Sequence, residues 1–234
     1  CIVVVAFSML MNMFYSEWIV PLFNKQTPLE EGELRNAIEK FANRAGFKLN
    51  NIYVIDGSKR STKANAYFSG LGPKKRIVLY DTLIDDLSTE EIVAVLAHEI
   101  GHYKHKHTWQ MMGVSVMNTV LMFFLLSLVL DSSVLAEAMG GSTPSFPLAL
   151  VAFGLLYTPL ELLTGIGINA LSRRNEYQAD AFAASFGLAN ALIGGLKKLS
   201  VKSLSNLTPD SLYVKVYYSH PTLLQRMAAL QKYK

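Results

Sequence analysis

Two histidines four residues apart, His98 and His102, enclose a carboxylate in the string His98-Glu99-Ile100-Gly101-His102. On a helix, positions i and i+4 lie about 40° apart around the axis and one turn above each other, so both imidazoles can reach a single ion. Tetrahedral Zn²⁺ suits such ligands, and the expectation is one zinc ion per chain. Glu99 would project beside the ion rather than onto it, where it could take a proton from an attacking water. The chemistry implied is metal-assisted hydrolysis of a peptide bond, with a pair of core histidines as the plain alternative.

A His-Glu-x-x-His string arises by chance in roughly one chain of this length in a hundred or two, so its surroundings must support it. Ser88-Thr89-Glu90-Glu91 reads as a capping box that opens a helix. Ile92, Val93, Val95, Leu96 and Ile100 then supply an apolar face that would bury the helix and hold the histidines still. The motif therefore falls in mid-helix.

A third protein ligand has to come from elsewhere. The arrangement with Gly three and His six residues beyond the second histidine fails, because those positions hold His105 and Thr108. An acid on a later helix is the other solution, and residues 172–180 offer Glu176 and Asp180 on one helical face. Glu176 is assigned as the third ligand, and Asp180 as the acceptor that orients a ligand histidine through its other ring nitrogen. Spacing alone leaves a nearly equal alternative, two solvated acids beside Arg173 and Arg174.

The elements that must position these groups are partly legible. Residues 29–44 have helical apolar spacing, with Gly46 as a stop. Strand-like runs follow at residues 51–56, 64–69 and 76–81, the last two forming an antiparallel hairpin across Gly70-Leu71-Gly72-Pro73. At 51% hydrophobic residues the chain is too apolar for an ordinary soluble domain. Residues 111–130 and 138–160 carry no charge, and each run is long enough to cross a bilayer core. Residues 1–16 are also uncharged and read as the cut end of a spanning helix rather than a secretion signal.

All 22 Lys and Arg fall in residues 25–106 and 173–234, while the connection between the two long runs carries only Asp131 and Glu137. The basic flanks therefore face the cytoplasm by the positive-inside tendency. The formal net charge of +4 is explained by those flanks, so no nucleic-acid partner is expected. The single cysteine, Cys1, excludes an internal disulfide and a cysteine-based zinc site.

The ordered motifs, taken together, resemble one family. They are Pro21 to Lys25, Gly57 to Ser61, Asn65-Ala66-Tyr67-Phe68, Lys75 to Leu79, the His98 to His102 string, Ser172-Arg173-Arg174 with Glu176 and residues 178–183, and Tyr218-Ser219-His220-Pro221. The resemblance is to the type 1 CAAX prenyl endopeptidases, integral-membrane zinc peptidases with a glutamate ligand. It implies His98, His102 and Glu176 as ligands, Glu99 as base and His220 as donor to the oxyanion. It also implies Arg226 near the substrate, a charged helix face being the alternative, and Asn65, Ala66 and Tyr67 on an edge strand along which an extended substrate lies. Family members carry further spanning helices upstream, so the chain looks like the C-terminal portion of a seven-span protein.

The expected fold is mainly α with a small antiparallel β-sheet, a multi-pass membrane zinc metallopeptidase with a gluzincin-like catalytic domain. Its parts are residues 1–23 as the end of a transmembrane helix, 24–108 as a catalytic region, 109–171 as a transmembrane hairpin and 172–234 as a second catalytic region. The expected partners are a peptide or protein substrate, possibly prenylated, and the lipid bilayer. The catalytic side would be cytoplasmic, in a bacterial inner membrane or a eukaryotic endoplasmic reticulum membrane. A quality-control protease of the HtpX type and a non-catalytic scaffold with structural zinc are the rival readings. His105, His107 and Glu161 receive no role, the two histidines reading as solvated groups at the membrane boundary.

Overall fold

The computed structural model describes residues 2–14, 18–49, 51–59, 66–69 and 76–233. In chain order the first elements are α1 (Ile2–Phe14), α2 (Val20–Phe23), β1 (Gln26–Pro28), α3 (Glu33–Arg44), β2 (Asn51–Ile55), β3 (Ala66–Ser69) and β4 (Arg76–Tyr80). They are followed by α4 (Asp81–Asp86), α5 (Thr89–Lys104), α6 (His107–Leu130), α7 (Ser133–Ala138) and α8 (Phe146–Ser185). The last are α9 (Ala189–Lys202), α10 (Ser211–Tyr217) and α11 (Leu223–Leu230). The chain is mainly helical, as expected.

The sheet corrects the expectation of an antiparallel one. Its order is β1-β2-β4-β3, and β2 runs parallel to β4 from Asn51 opposite Arg76 to Ile55 opposite Tyr80. The β3–β4 pair is antiparallel, as the hairpin reading required, and β1 pairs antiparallel with β2. The physical reason lies in β4: Ile77, Val78 and Leu79 are all fully buried, so this strand needs cover on both sides and takes the centre. β1, which sequence reading did not find, is an edge strand that tolerates Pro28. The proposed Gly/Pro turn and Asn65 lie outside the described residues.

α5 begins as its sequence dictates. The Ser88 hydroxyl accepts from the Glu91 amide and the Glu91 carboxylate accepts from the Ser88 amide, which closes the capping box. Ile92, Ala94, Leu96 and Ile100 are buried against α3, the sheet, α8 and α9. This packing makes α5 the central rod of the domain, with His98 and His102 on its remaining face.

After α5 the chain turns sharply, because Lys106 adopts the left-handed conformation with φ 57° and α6 starts at the next residue. α6 has 24 residues and buries only His107 of its own side chains within the described structure. α8 has 40 residues and runs through Pro159 without ending. At 1.5 Å per residue it is about 60 Å long, roughly twice a hydrocarbon core. α6 and α8 are the two described helices long and apolar enough to cross a membrane. The boundary drawn between residues 171 and 172 falls inside α8, so one rod joins the apolar hairpin to Glu176.

Candidate metal centre

α5 presents the two imidazoles and α8 brings the acid to them. Nε2 of His98 lies 3.1 Å from Nε2 of His102. Glu176 places Oε2 3.5 Å from the former and Oε1 3.3 Å from the latter. His98, His102 and Glu176 thus each offer a ligand atom within 4.8 Å of the others. Such mutual spacings are those of ligands about 2.0–2.2 Å from one tetrahedral ion.

The crossing of α5 and α8 depends on Gly101. A Cβ there would stand 2.9 Å from the Ala179 Cα, 3.1 Å from the Ala179 carbonyl oxygen and 3.0 Å from the Phe182 Cβ. Two of these atoms are backbone, so a methyl group can be accommodated only by moving the helices apart. Gly101→Ala is therefore expected to lower stability by about 1–3 kcal/mol and to weaken metal binding, as melting curves and metal titration would register. A Gly101→Ala protein with wild-type metal affinity would overturn this account of the crossing.

The groups behind the ligands set their protonation. His98 Nδ1 lies 2.9 Å from Asp180 Oδ1 and donates to that carboxylate, which leaves the lone pair on Nε2. Arg226 donates through Nε and Nη2 to both oxygens of Asp180, at 2.9 and 2.6 Å, and its Nη1 stands 3.3 Å from Glu176 Oε2. Glu176 and Asp180 are 5% and 2% exposed, which excludes the reading of two solvated acids. Arg226 is equally committed: it is buried between these carboxylates, not spread on a charged helix face.

Whether a metal fits follows from the donor set. Glu176 Oε2 is buried and has no hydrogen-bond partner among the described residues. With His98 in the Nδ1–H form, its Nε2 lone pair and the carboxylate oxygens of Glu176 converge as acceptors, an arrangement that a shared cation satisfies. The residues fit zinc.

Glu99 follows His98 on α5 and is partly buried. Burial pushes its carboxyl above the ordinary range and the charge of Glu176 adds to this, while His98 and His102 partly offset both. A carboxylate tuned upward is a better base near neutral pH.

His220 arrives on the loop between α10 and α11. Its Nε2 lies 3.4 Å from Glu176 Oε1 and its Nδ1 is 2.9 Å from the Ser219 hydroxyl. α8 also holds this loop: Arg173 donates to the carbonyls of Val214, Lys215 and Tyr218, and Asn169 donates to that of Val216 at 2.7 Å. Lys215 and Val216 lie in the last turn of α10, whose carbonyls run out of donors within the helix. Beside His220 opens a cavity of about 400 Å³ whose walls include Leu196, Tyr217, Leu223 and Arg226. Ala66 and Tyr67 lie on β3, at the edge of the sheet, and β3 packs against α5.

Sequence reading missed one pair. His107, taken as a solvated group, is 4% exposed; its Nδ1 lies 3.0 Å from His102 Nδ1 and its Nε2 lies 2.9 Å from Gln178 Oε1. The only available signal was its position five residues beyond His102, which a continuous helix would carry away from the site.

The helix-borne pair of histidines with a glutamate from a distant helix defines a class, and residues 28–234 match Peptidase family M48, to which the chain belongs. The chain is 44% identical over 229 residues to CAAX prenyl protease 1 of Saccharomyces cerevisiae, a match covering 91% of this chain and 51% of that relative. It is 36% identical over 266 residues to the CAAX prenyl protease 1 homolog of Homo sapiens, covering 97% and 56%. The solved structure described as "Crystal Structure of S. mikatae Ste24p" superposes with a TM-score of 0.88 at 42% identity, over 98% of this chain and 57% of that one. The chain spans about half the length of the curated relatives it matches. The family expected from the ordered motifs and the family matched agree.

Proposed function

We propose that this chain forms the catalytic part of a membrane zinc endopeptidase that cuts a peptide bond near the C-terminus of prenylated Cys-a-a-X substrates. The observation that carries the reading is the convergence of His98, His102 and Glu176 with Glu99 beside them. The names of the relatives at 36–44% identity support the substrate class.

A zinc ion held by His98, His102 and Glu176 would supply Lewis-acid polarisation of the scissile carbonyl and acidify the attacking water. Glu99 takes the proton from that water and delivers it to the leaving amine. His220 donates to the developing oxyanion from the cavity side. Arg226 neutralises Asp180 and Glu176 from beneath, which makes its contribution to substrate binding indirect. The edge of β3 at Ala66 and Tyr67 receives the extended substrate through main-chain hydrogen bonds, and the resemblance assigns Asn65 to the same task.

In this reading residues 24–108 and 172–234 are the two catalytic regions, residues 109–171 the membrane hairpin and residues 1–23 the end of another spanning helix. The protein is multi-pass with its catalytic side cytoplasmic, a reading the basic flanks support. The eukaryotic relatives favour the endoplasmic reticulum membrane over a bacterial one.

The test uses the full protein in detergent, with and without chelator, on a farnesylated Cys-a-a-X peptide and on an unfolded membrane protein. One zinc per chain, cleavage of the farnesylated peptide and its loss with chelator are expected. Cleavage of the unfolded protein alone would favour a quality-control protease, and bound zinc without any cleavage would leave a scaffold.

A further inference from the structure

The two ligand histidines are supported in different ways. His98 leans on a carboxylate that is itself paired with Arg226. His102 leans on a second imidazole, which in turn meets an amide. Gln178 turns Oε1 toward His107 at 2.9 Å, and an oxygen can only accept, so His107 carries its hydrogen on Nε2. A neutral His107 then has its lone pair on Nδ1, 3.0 Å from His102 Nδ1, which must be the donor. His102 consequently has its hydrogen on Nδ1 and its lone pair on Nε2, the atom facing His98 and Glu176.

Reversing the first link reverses the last. Were the amide to donate, His107 would donate to His102 in turn, and the His102 Nε2–H would point at the metal position. His105 stacks on His107, with ring centroids 5.4 Å apart and planes 14° apart, which holds the plane of the relay. Gln178 sits on α8 two residues from Glu176, so the helix that supplies the third ligand also sets the tautomer of the second. The left-handed Lys106 makes this possible by folding His107 back toward the end of α5.

We propose that Gln178 and His107 form a neutral relay that holds His102 in its metal-binding tautomer, with His107 a positioning residue rather than a ligand. The proposal rests on the zinc reading above. It adds a function to two residues whose contacts lie outside the zinc coordination itself.

The experiment measures zinc affinity by competition with a chromophoric chelator, and the visible spectrum of the cobalt-substituted full protein, in the wild type and in His107→Leu, His107→Asn, Gln178→Met and Gln178→Glu. His107→Leu removes the acceptor at similar volume and should weaken zinc by roughly 10- to 100-fold and alter the cobalt bands. His107→Asn retains an acceptor oxygen toward His102 and should recover most of that loss. Gln178→Glu keeps the acceptor and should stay within a few fold of wild type, whereas Gln178→Met should weaken binding. The metal-free melting temperatures should be alike, which a purely structural role for His107 would not allow.

Wild-type affinity in His107→Leu, or equal losses in the Leu and Asn variants, overturns the relay while leaving the zinc site intact. If His107→Leu does not fold, equal affinity in the two Gln178 variants overturns it instead. A wild type that binds no zinc or cobalt overturns the metal reading and the relay together.

Discussion

Glu99→Gln is expected to retain one zinc per chain and to lose peptide cleavage by about 10²- to 10⁴-fold, the span that a positioned general base supplies. The substitution is nearly isosteric and leaves His98, His102 and Glu176 untouched, so metal content separates loss of the base from loss of the ion. Glutamine cannot accept the proton of the attacking water, whatever the pH. Cleavage of a farnesylated peptide by the zinc-loaded Gln variant at rates close to wild type would remove Glu99 from its role. Burial holds the Glu99 carboxyl above its ordinary range, which favours its taking up a proton from water.

Arg226→Ala is expected to cost about 3–5 kcal/mol of stability, which thermal unfolding of the metal-free protein would report as a fall of roughly 6–20 °C. The guanidinium stands against Asp180 and Glu176, both buried, and its removal leaves both carboxylates without that counter-charge. Zinc restores part of the balance through Glu176, so the deficit should be larger without metal than with it. Arg226→Lys keeps the charge but not the two-pronged contact with Asp180 and should recover only part of the loss. An Ala variant that melts with the wild type would show that these carboxylates do not depend on Arg226.

What the chain discloses without its fold is whatever depends on neighbours in sequence. The Ser88–Glu91 cap, the apolar stripe of α5 and the i, i+4 histidines are all readable within about fifteen residues, and the structure holds them as expected. Glu176 could be nominated because its helix also carries Asp180, but only the approach of α5 and α8 at Gly101 distinguishes it from a surface acid. The parallel β2–β4 pairing stayed hidden, since strand order is decided by how far each strand must be covered, and that depends on distant helices. His107 was invisible for a different reason: a left-handed lysine gives no warning in sequence that the helix turns back there. Resemblance places Arg226 near the substrate, with a charged helix face as the alternative, and only the fold shows that α8 supplies its two carboxylate partners.

A single helix, α8, carries both an apolar segment long enough to cross a membrane and Glu176, with Pro159 seventeen residues before that acid. From Pro159 to Glu176 the arm is roughly 26 Å, so a bend of about 2° at the proline swings the carboxylate by nearly 1 Å. A displacement of that size at a reacting centre is enough to change rate by orders of magnitude. The close approach of α5 to α8 at Gly101 and Ala179 lies three residues beyond Glu176 and holds the carboxylate against such swings.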